Sequence, residues 1–226
     1  MNNPHKKIIL APSLLSCDFA NIGKQLSIIR EAGAQYLHLD VMDGVFVPNI
    51  SFGQPLIKSL RQNCDLIFDV HLMIVQPERY IDDFVAAGAD IITIHAESTE
   101  KCRETLSCIR SKGIKSAVSV KPKTPVSAVF GLLDCCDMVL IMSVEPGFGG
   151  QKFMPDMLEK AKELKAEIAR RNLNIDIEMD GGIDASNARR CVEAGVNILV
   201  AGSSVFGKPD IAAAVKSILN AAEGNA

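Results

Sequence analysis

Three short stretches concentrate the side chains able to do chemistry. His38-Leu39-Asp40 sets an imidazole and a carboxylate two residues apart at the end of an apolar run. Side chains alternate faces along a strand, so these two point the same way, roughly 7 Å apart along the chain. A metal ion between their tips can be held by both. Asp69-Val70-His71-Leu72-Met73 shows the same alternation, and Glu178-Met179-Asp180-Gly181-Gly182 ends a third apolar run with Asp180 at its tip. Together His38, Asp40, His71 and Asp180 make a set of two imidazoles and two carboxylates. That set suits zinc, ferrous iron or manganese, and ligand type does not separate them. Four polar groups are expensive to bury together without a charge to balance them.

The other members of these stretches receive structural readings. Asp69 and Glu178 point with His71 and Asp180 but one layer deeper, where hydrogen bonds to the ligands are expected. His95 reads as a hydrogen-bonded core residue, and Asp43 as a turn residue before Gly44. Met42, Met73 and Met142 are either gap-filling core or a soft wall over a planar intermediate.

A second group is rich in glycine: Gly147-Phe148-Gly149-Gly150, Gly181-Gly182 and Gly202-Ser203-Ser204. Glycine lets backbone N–H groups approach an anion closely. One such pair is usually a turn, but three in successive loops point to a phosphorylated substrate. Two carboxylates beside a metal suggest proton transfer next to a carbonyl, with the metal stabilising an enediolate. Asp40 and Asp180 lie on different strands and can flank a substrate plane, one removing a proton and the other returning it on the opposite face.

The elements that must position these groups alternate from end to end. Near-continuous apolar runs at 8–12, 36–41, 66–72, 91–95, 115–120, 138–142, 175–180 and 198–201 read as parallel strands buried on both faces. Helical segments lie between them. Asp18, Pro77, Thr124-Pro125 and Asp184 mark their starts, and Gly33, Gly88, Gly113 and Gly195 their stops. Eight such units fill 226 residues, the count for one (β/α)8 TIM barrel. The first strand-to-helix turn lacks a G-x-G-x-x-G, which weakens a doubly wound sheet. Residues 1–226 are expected to form a single domain, with 1–7 and 221–226 as peripheral tails. In such a barrel the active site lies at the C-terminal ends of the strands, where the candidate residues fall.

Composition excludes other classes. The net charge is −3 and no basic patch interleaves with aromatics, which argues against nucleic acid. No apolar run is long enough to span a bilayer. Seven scattered cysteines without C-x-x-C spacing suggest a reducing compartment, and each is expected to be a small buried residue. Lys6-Lys7 and the apolar residues up to Cys17 outline a lipoprotein signal, but Pro12 and Ser13 break it and the barrel needs the segment as a strand. A cytoplasmic enzyme is expected.

Pro12-Ser13-Leu14-Leu15-Ser16, His38-Leu39-Asp40-Val41-Met42-Asp43-Gly44, Asp69-Val70-His71-Leu72-Met73, Val144-Glu145-Pro146-Gly147-Phe148-Gly149-Gly150 and Asp180-Gly181-Gly182-Ile183 follow one another in an order that resembles the ribulose-phosphate 3-epimerase family. The resemblance covers nearly the whole chain. It implies interconversion of D-ribulose 5-phosphate and D-xylulose 5-phosphate, with one divalent metal held by His38, Asp40, His71 and Asp180. Asp40 and Asp180 are the implied acid/base pair. Ser13 and His71 are implied to contact the sugar, and Gly147, Phe148, Gly149, Gly150, Gly181, Gly182, Gly202 and Ser203 the phosphate end. It also implies a homo-oligomer. Rival readings are a sister epimerase acting on a ketohexose 6-phosphate such as D-allulose 6-phosphate, a sugar-phosphate-binding barrel without catalysis, and a metal-dependent hydrolase.

Overall fold

A computed structural model describes residues 6–225. Met1 to His5 and Ala226, within the two expected tails, lie outside the described residues. Eight strands form one sheet: β1 (Ile9–Pro12), β2 (Tyr36–Met42), β3 (Ile67–Met73), β4 (Ile91–His95), β5 (Lys115–Val120), β6 (Met138–Met142), β7 (Asp176–Asp180) and β8 (Ile198–Ala201). All seven ladders are parallel, in the order β1-β8-β7-β6-β5-β4-β3-β2. Helices α1 (Ile22–Glu31), α2 (Gln54–Arg61), α3 (Ile81–Ala87), α4 (Cys102–Ser111), α5 (Met157–Arg170), α6 (Ala188–Ala194), α7 (Ser203–Phe206) and α8 (Ile211–Glu223) run between and after the strands. This is a nearly closed TIM barrel. No helix among the described residues is long and apolar enough to cross a membrane.

Alternation along each strand divides the buried residues into two sets. Leu37, Leu39 and Val41 of β2, Phe68, Val70 and Leu72 of β3, and Ile177 and Met179 of β7 face outward and pack in the core beneath the helices. The residues between them face the bore, which is apolar at its base around Tyr36, Ile91, Ala117, Met138 and Ile198. Both faces of each strand are buried, which is why the runs read as continuous rather than alternating.

The helix-to-strand joints rest on glycine. Gly88 and Gly195 have φ of 104° and 113°, and a Cβ at either would meet the Arg61 or Lys165 side chain at 2.6 Å. Their N–H groups close the ends of α3 and α6.

Barrel closure is uneven. Between β1 and β2 no ladder runs among the described residues. The joint consists of a bridge between Ser13 and His38 and of Gln35, whose Oε1 accepts the Leu10 N–H at 3.1 Å and whose own N–H donates to Leu10 O at 3.4 Å.

Several sequence expectations are corrected. Thr124-Pro125 does not open an α-helix; residues Val126–Cys135 form 3-10 turns, and the Thr124 hydroxyl donates to Glu97 instead of capping. Asp184 forms a turn with Ser186, and α6 begins only after Asn187. Residues 221–223 are not a tail: they belong to α8, and Ala222 is fully buried. Lys6 is likewise tied down, its ammonium donating to Ile175 O and pairing with Asp176 at 2.8 Å. Of the cysteines, Cys108 is exposed, because α4 buries Thr105, Leu106 and Ile109 on its other side, and Cys17 and Cys102 are half-buried.

Candidate active site

Strand register places the polar residues in layers. His38 is level with Asp69, Asp40 with His71, and Met42 with Met73 on β2 and β3. Across the bore, β7 presents Glu178 and, one layer higher, Asp180. Ligand atoms of His38, Asp40, His71 and Asp180 all lie within 4.8 Å of one another. His38 Nε2 is 3.3 Å from Asp40 Oδ1, 3.4 Å from His71 Nδ1 and 4.0 Å from Asp180 Oδ2. His71 Nδ1 is 3.1 Å from Asp40 Oδ1.

This spacing fits a cation. Bonds of about 2.0–2.2 Å put tetrahedral donors roughly 3.4 Å apart. Each imidazole also has its second nitrogen engaged, His38 Nδ1 on Asp69 Oδ2 at 2.6 Å and His71 Nε2 on His95 Nε2 at 2.9 Å. That arrangement fixes ring orientation in metal sites. Carboxylates packed this closely repel one another unless a proton or cation lies among them.

The electrostatics of the cluster show the same demand. Burial disfavours the His38 imidazolium, but Asp40 and Asp69 outweigh burial and raise its pKa well above the ordinary value. Burial also works against the Asp40 carboxylate, yet His38 and His71 hold it far below the usual range. Asp180 moves the other way: burial and then the Asp40 charge raise it to about 7. Burial and then Asp69 raise Glu178 well above a normal carboxyl, and among the described residues neither of its oxygens has a hydrogen-bond partner, unlike the bond to a ligand expected for it. His95 is pushed by burial down to about 4, so the ring is neutral.

Above the cluster lies a cavity of about 400 Å³. Asp40 and Asp180 line it, as do Met42 and Met73, side by side on β2 and β3, and Met142 on β6. Ser13, Gly147, Phe148, Gly149, Gly150, Gly181, Gly182, Gly202 and Ser203 line it too. His38 and His71 lie beneath its floor, fully buried. Ser13 also donates its hydroxyl to Asp40 Oδ2 at 2.6 Å. Phe148 sits at the rim, 55% exposed.

Several lining residues have no role assigned to them from the sequence. Ser16 is one: a Cβ at Gly202 would come within 2.6 Å of its hydroxyl, and one at Gly149 within 3.2 Å. Lys152 and Lys208 also line the cavity and bring positive charge to it. Single loop lysines have no periodicity to mark them. Asp43 does more than turn the chain, accepting the N–H groups of Val45 and Phe46 and also that of Val75 beyond β3. His95 is hydrogen-bonded as expected, but its partner is His71, and Glu97 backs it at 3.2 Å.

A TIM barrel with this cluster and cavity belongs among the barrel enzymes. Solved structures agree on the fold: a 3-hexulose-6-phosphate synthase superposes with a TM-score of 0.70 at 17% identity, covering 95% of this chain and 99% of the other. The sequence pattern of the ribulose-phosphate 3 epimerase family matches residues 9–206. A chloroplastic ribulose-5-phosphate-3-epimerase of Arabidopsis thaliana is 48% identical over 93% of this chain and 76% of its own length. A ribulose-phosphate 3-epimerase of Synechocystis sp. is 45% identical, covering 95% and 94%. The chain belongs to the ribulose-phosphate 3-epimerase family and is an epimerase acting on carbohydrates.

Proposed function

We propose that the protein interconverts D-ribulose 5-phosphate and D-xylulose 5-phosphate by proton transfer at C3. One observation carries the reading. Asp40 and Asp180 belong to the same buried cluster and face one cavity, with Asp40 held ionised and Asp180 raised to about 7. An ionised and a readily protonated carboxyl on separate strands are what an epimerisation needs.

In one direction Asp40 takes the C3 proton, and the C–H electron pair moves toward C2 and its carbonyl oxygen. Asp180 then delivers a proton to C3 from the opposite face, and the carbonyl re-forms. The reverse direction exchanges the two roles. His38, Asp40, His71 and Asp180 would hold one divalent cation, for which zinc, ferrous iron and manganese all suit the donors. When bound, that cation supplies electrostatic stabilisation for negative charge developing on the substrate oxygen.

Ser13 fixes Asp40 through its hydroxyl and is near enough to the cavity to touch the sugar. The glycine loops after β6, β7 and β8, with Lys208, suit the phosphate end of the ketose. Met42, Met73 and Met142 give the cavity an apolar lining beside the two carboxylates.

The test is exchange of the C3 proton of ribulose 5-phosphate with D₂O, read by NMR alongside metal analysis of the same sample. Deuterium entering at C3 together with xylulose 5-phosphate supports the reading. Metal-replete protein that binds the ketose phosphate without exchange would reduce it to a binding protein.

A further inference from the structure

A carboxylate outside the donor set reaches it through one intervening ring. Glu97 lies in the loop after β4, where its Oε1 accepts the Lys121 N–H at 2.9 Å and the Thr124 hydroxyl. Its other oxygen, Oε2, faces His95 Nδ1 at 3.2 Å. The loop carrying Lys121 and Thr124 is itself pinned, because the Lys160 ammonium donates to the carbonyls of Lys121, Pro122 and Thr124. Glu97 is thus held in one orientation from both sides.

An ionised carboxylate only accepts hydrogen bonds, so the proton of the Glu97–His95 contact is on His95 Nδ1. A neutral imidazole has one N–H, which leaves His95 Nε2 as an acceptor. Its partner at 2.9 Å is His71 Nε2, which must then donate. The lone pair of His71 is left on Nδ1, the atom that faces Asp40 Oδ1 and His38 Nε2. Asp40 pulls the other way: 3.1 Å from Nδ1, it favours a proton on that atom, which would block it as a ligand. Among the described residues, the hydrogen bond on the far nitrogen of His71 leads through His95 to Glu97, which opposes Asp40.

We propose that Glu97 is a positioning residue for the cation site: through His95 it selects the His71 tautomer whose Nδ1 lone pair enters the donor set. The inference rests on the reading of the four-residue cluster as a cation site.

Glu97→Gln tests it. The glutamine carbonyl keeps the Lys121 and Thr124 bonds, and its NH₂ then faces His95 Nδ1 as a donor. The expected results are a switch of His95 from the Nδ1–H to the Nε2–H form, read by ¹⁵N NMR of metal-free protein, and a zinc affinity about 10–100-fold weaker by competition titration. Thr124→Val serves as the structural control: it removes a Glu97 contact but leaves the carboxylate, so the tautomer and the zinc affinity stay put even if the protein melts earlier. Zinc affinity within twofold of wild type in Glu97→Gln, or an unchanged His95 tautomer, overturns the proposal. Should that variant not fold, the wild-type spectrum decides alone, since an Nε2–H His95 in wild type also overturns it. Wild-type protein that binds no zinc removes the cation reading and the purpose assigned to Glu97. Wild-type binding with an indifferent Glu97→Gln removes the Glu97 assignment only.

Discussion

His38 Nδ1 lies 2.6 Å from Asp69 Oδ2, both side chains have no solvent exposure, and the two residues are register partners on β2 and β3. The carboxylate can only accept, so it keeps the proton of His38 on Nδ1 and turns Nε2 toward the cavity floor. Asp69→Asn presents an amide there and is expected to weaken divalent cation binding about 10–100-fold. Metal retained after dialysis against a chelator measures this, and retention equal to wild type would show that Asp69 does not orient the ring.

Asp40→Asn and Asp180→Asn should each lower interconversion by about 10²–10⁴-fold or more. The remaining carboxylate in each variant can still exchange the C3 proton of the one epimer it faces. Deuterium wash-in without epimerisation, from opposite substrates in the two variants, is the expected signature. Metal content has to be matched, because both residues also belong to the donor set. Near-wild-type interconversion in either variant removes that residue from the acid/base pair.

Glu97 gives the protein an acid-sensitive contribution to stability. Burial disfavours its charge, but His95, Thr124 and the Lys121 N–H prevail and hold its carboxyl down to about 2, against 4.5 for a free glutamate. A depressed carboxyl stabilises the fold above its unfolded pKa, and the contribution is lost as pH falls toward the folded one. The stability gap between wild type and Glu97→Gln should therefore be widest near neutral pH and shrink through the acid range. Urea unfolding at a series of pH values reads it; parallel curves would contradict it.

Two loop glycines should respond very differently to alanine. Gly182 has φ of 66°, and a Cβ there would lie 2.4 Å from Phe153 N and 2.8 Å from Gln151 O, both backbone atoms. Gly150 has φ of 73° but nothing within 4 Å of its Cβ position. Gly150→Ala is expected to cost about 1 kcal/mol of backbone strain. Gly182→Ala adds a collision with main chain and should exceed roughly 3 kcal/mol or displace the 151–153 segment, raising KM for the phosphosugar. Denaturant unfolding and KM for both variants separate the two mechanisms, and equal costs would count against the collision.

Much of this architecture is legible in the sequence. The expected strands differ from the observed ones by at most one residue at either end, because β-branched runs bounded by a helix-ending glycine leave little room to slide. His38, Asp40, His71 and Asp180 were brought to one end by counting strands and alternation alone. What escaped notice depends on side chains that bridge loops. The role of Glu97 depends on Thr124 and Lys121, over twenty residues away. Ser16 gains its place from the bare backbones of Gly149 and Gly202. The stretch after β5 carries a helix-start signal at Thr124-Pro125, but Glu97 takes the threonine hydroxyl and the chain winds as 3-10 turns.

The stitched joint between β1 and β2 makes the barrel a spring clip rather than a hoop. One lip carries Ser13 and Ser16, the other Asp40; all three line the cavity, and the Ser13 hydroxyl donates to Asp40 across the joint. An occupant gripping both lips raises the work of prying them apart, so exchange protection at the Leu10 and Gln35 amides should climb as the cavity fills. Opening here would also expose the Leu10–Gln35 edge to proteases.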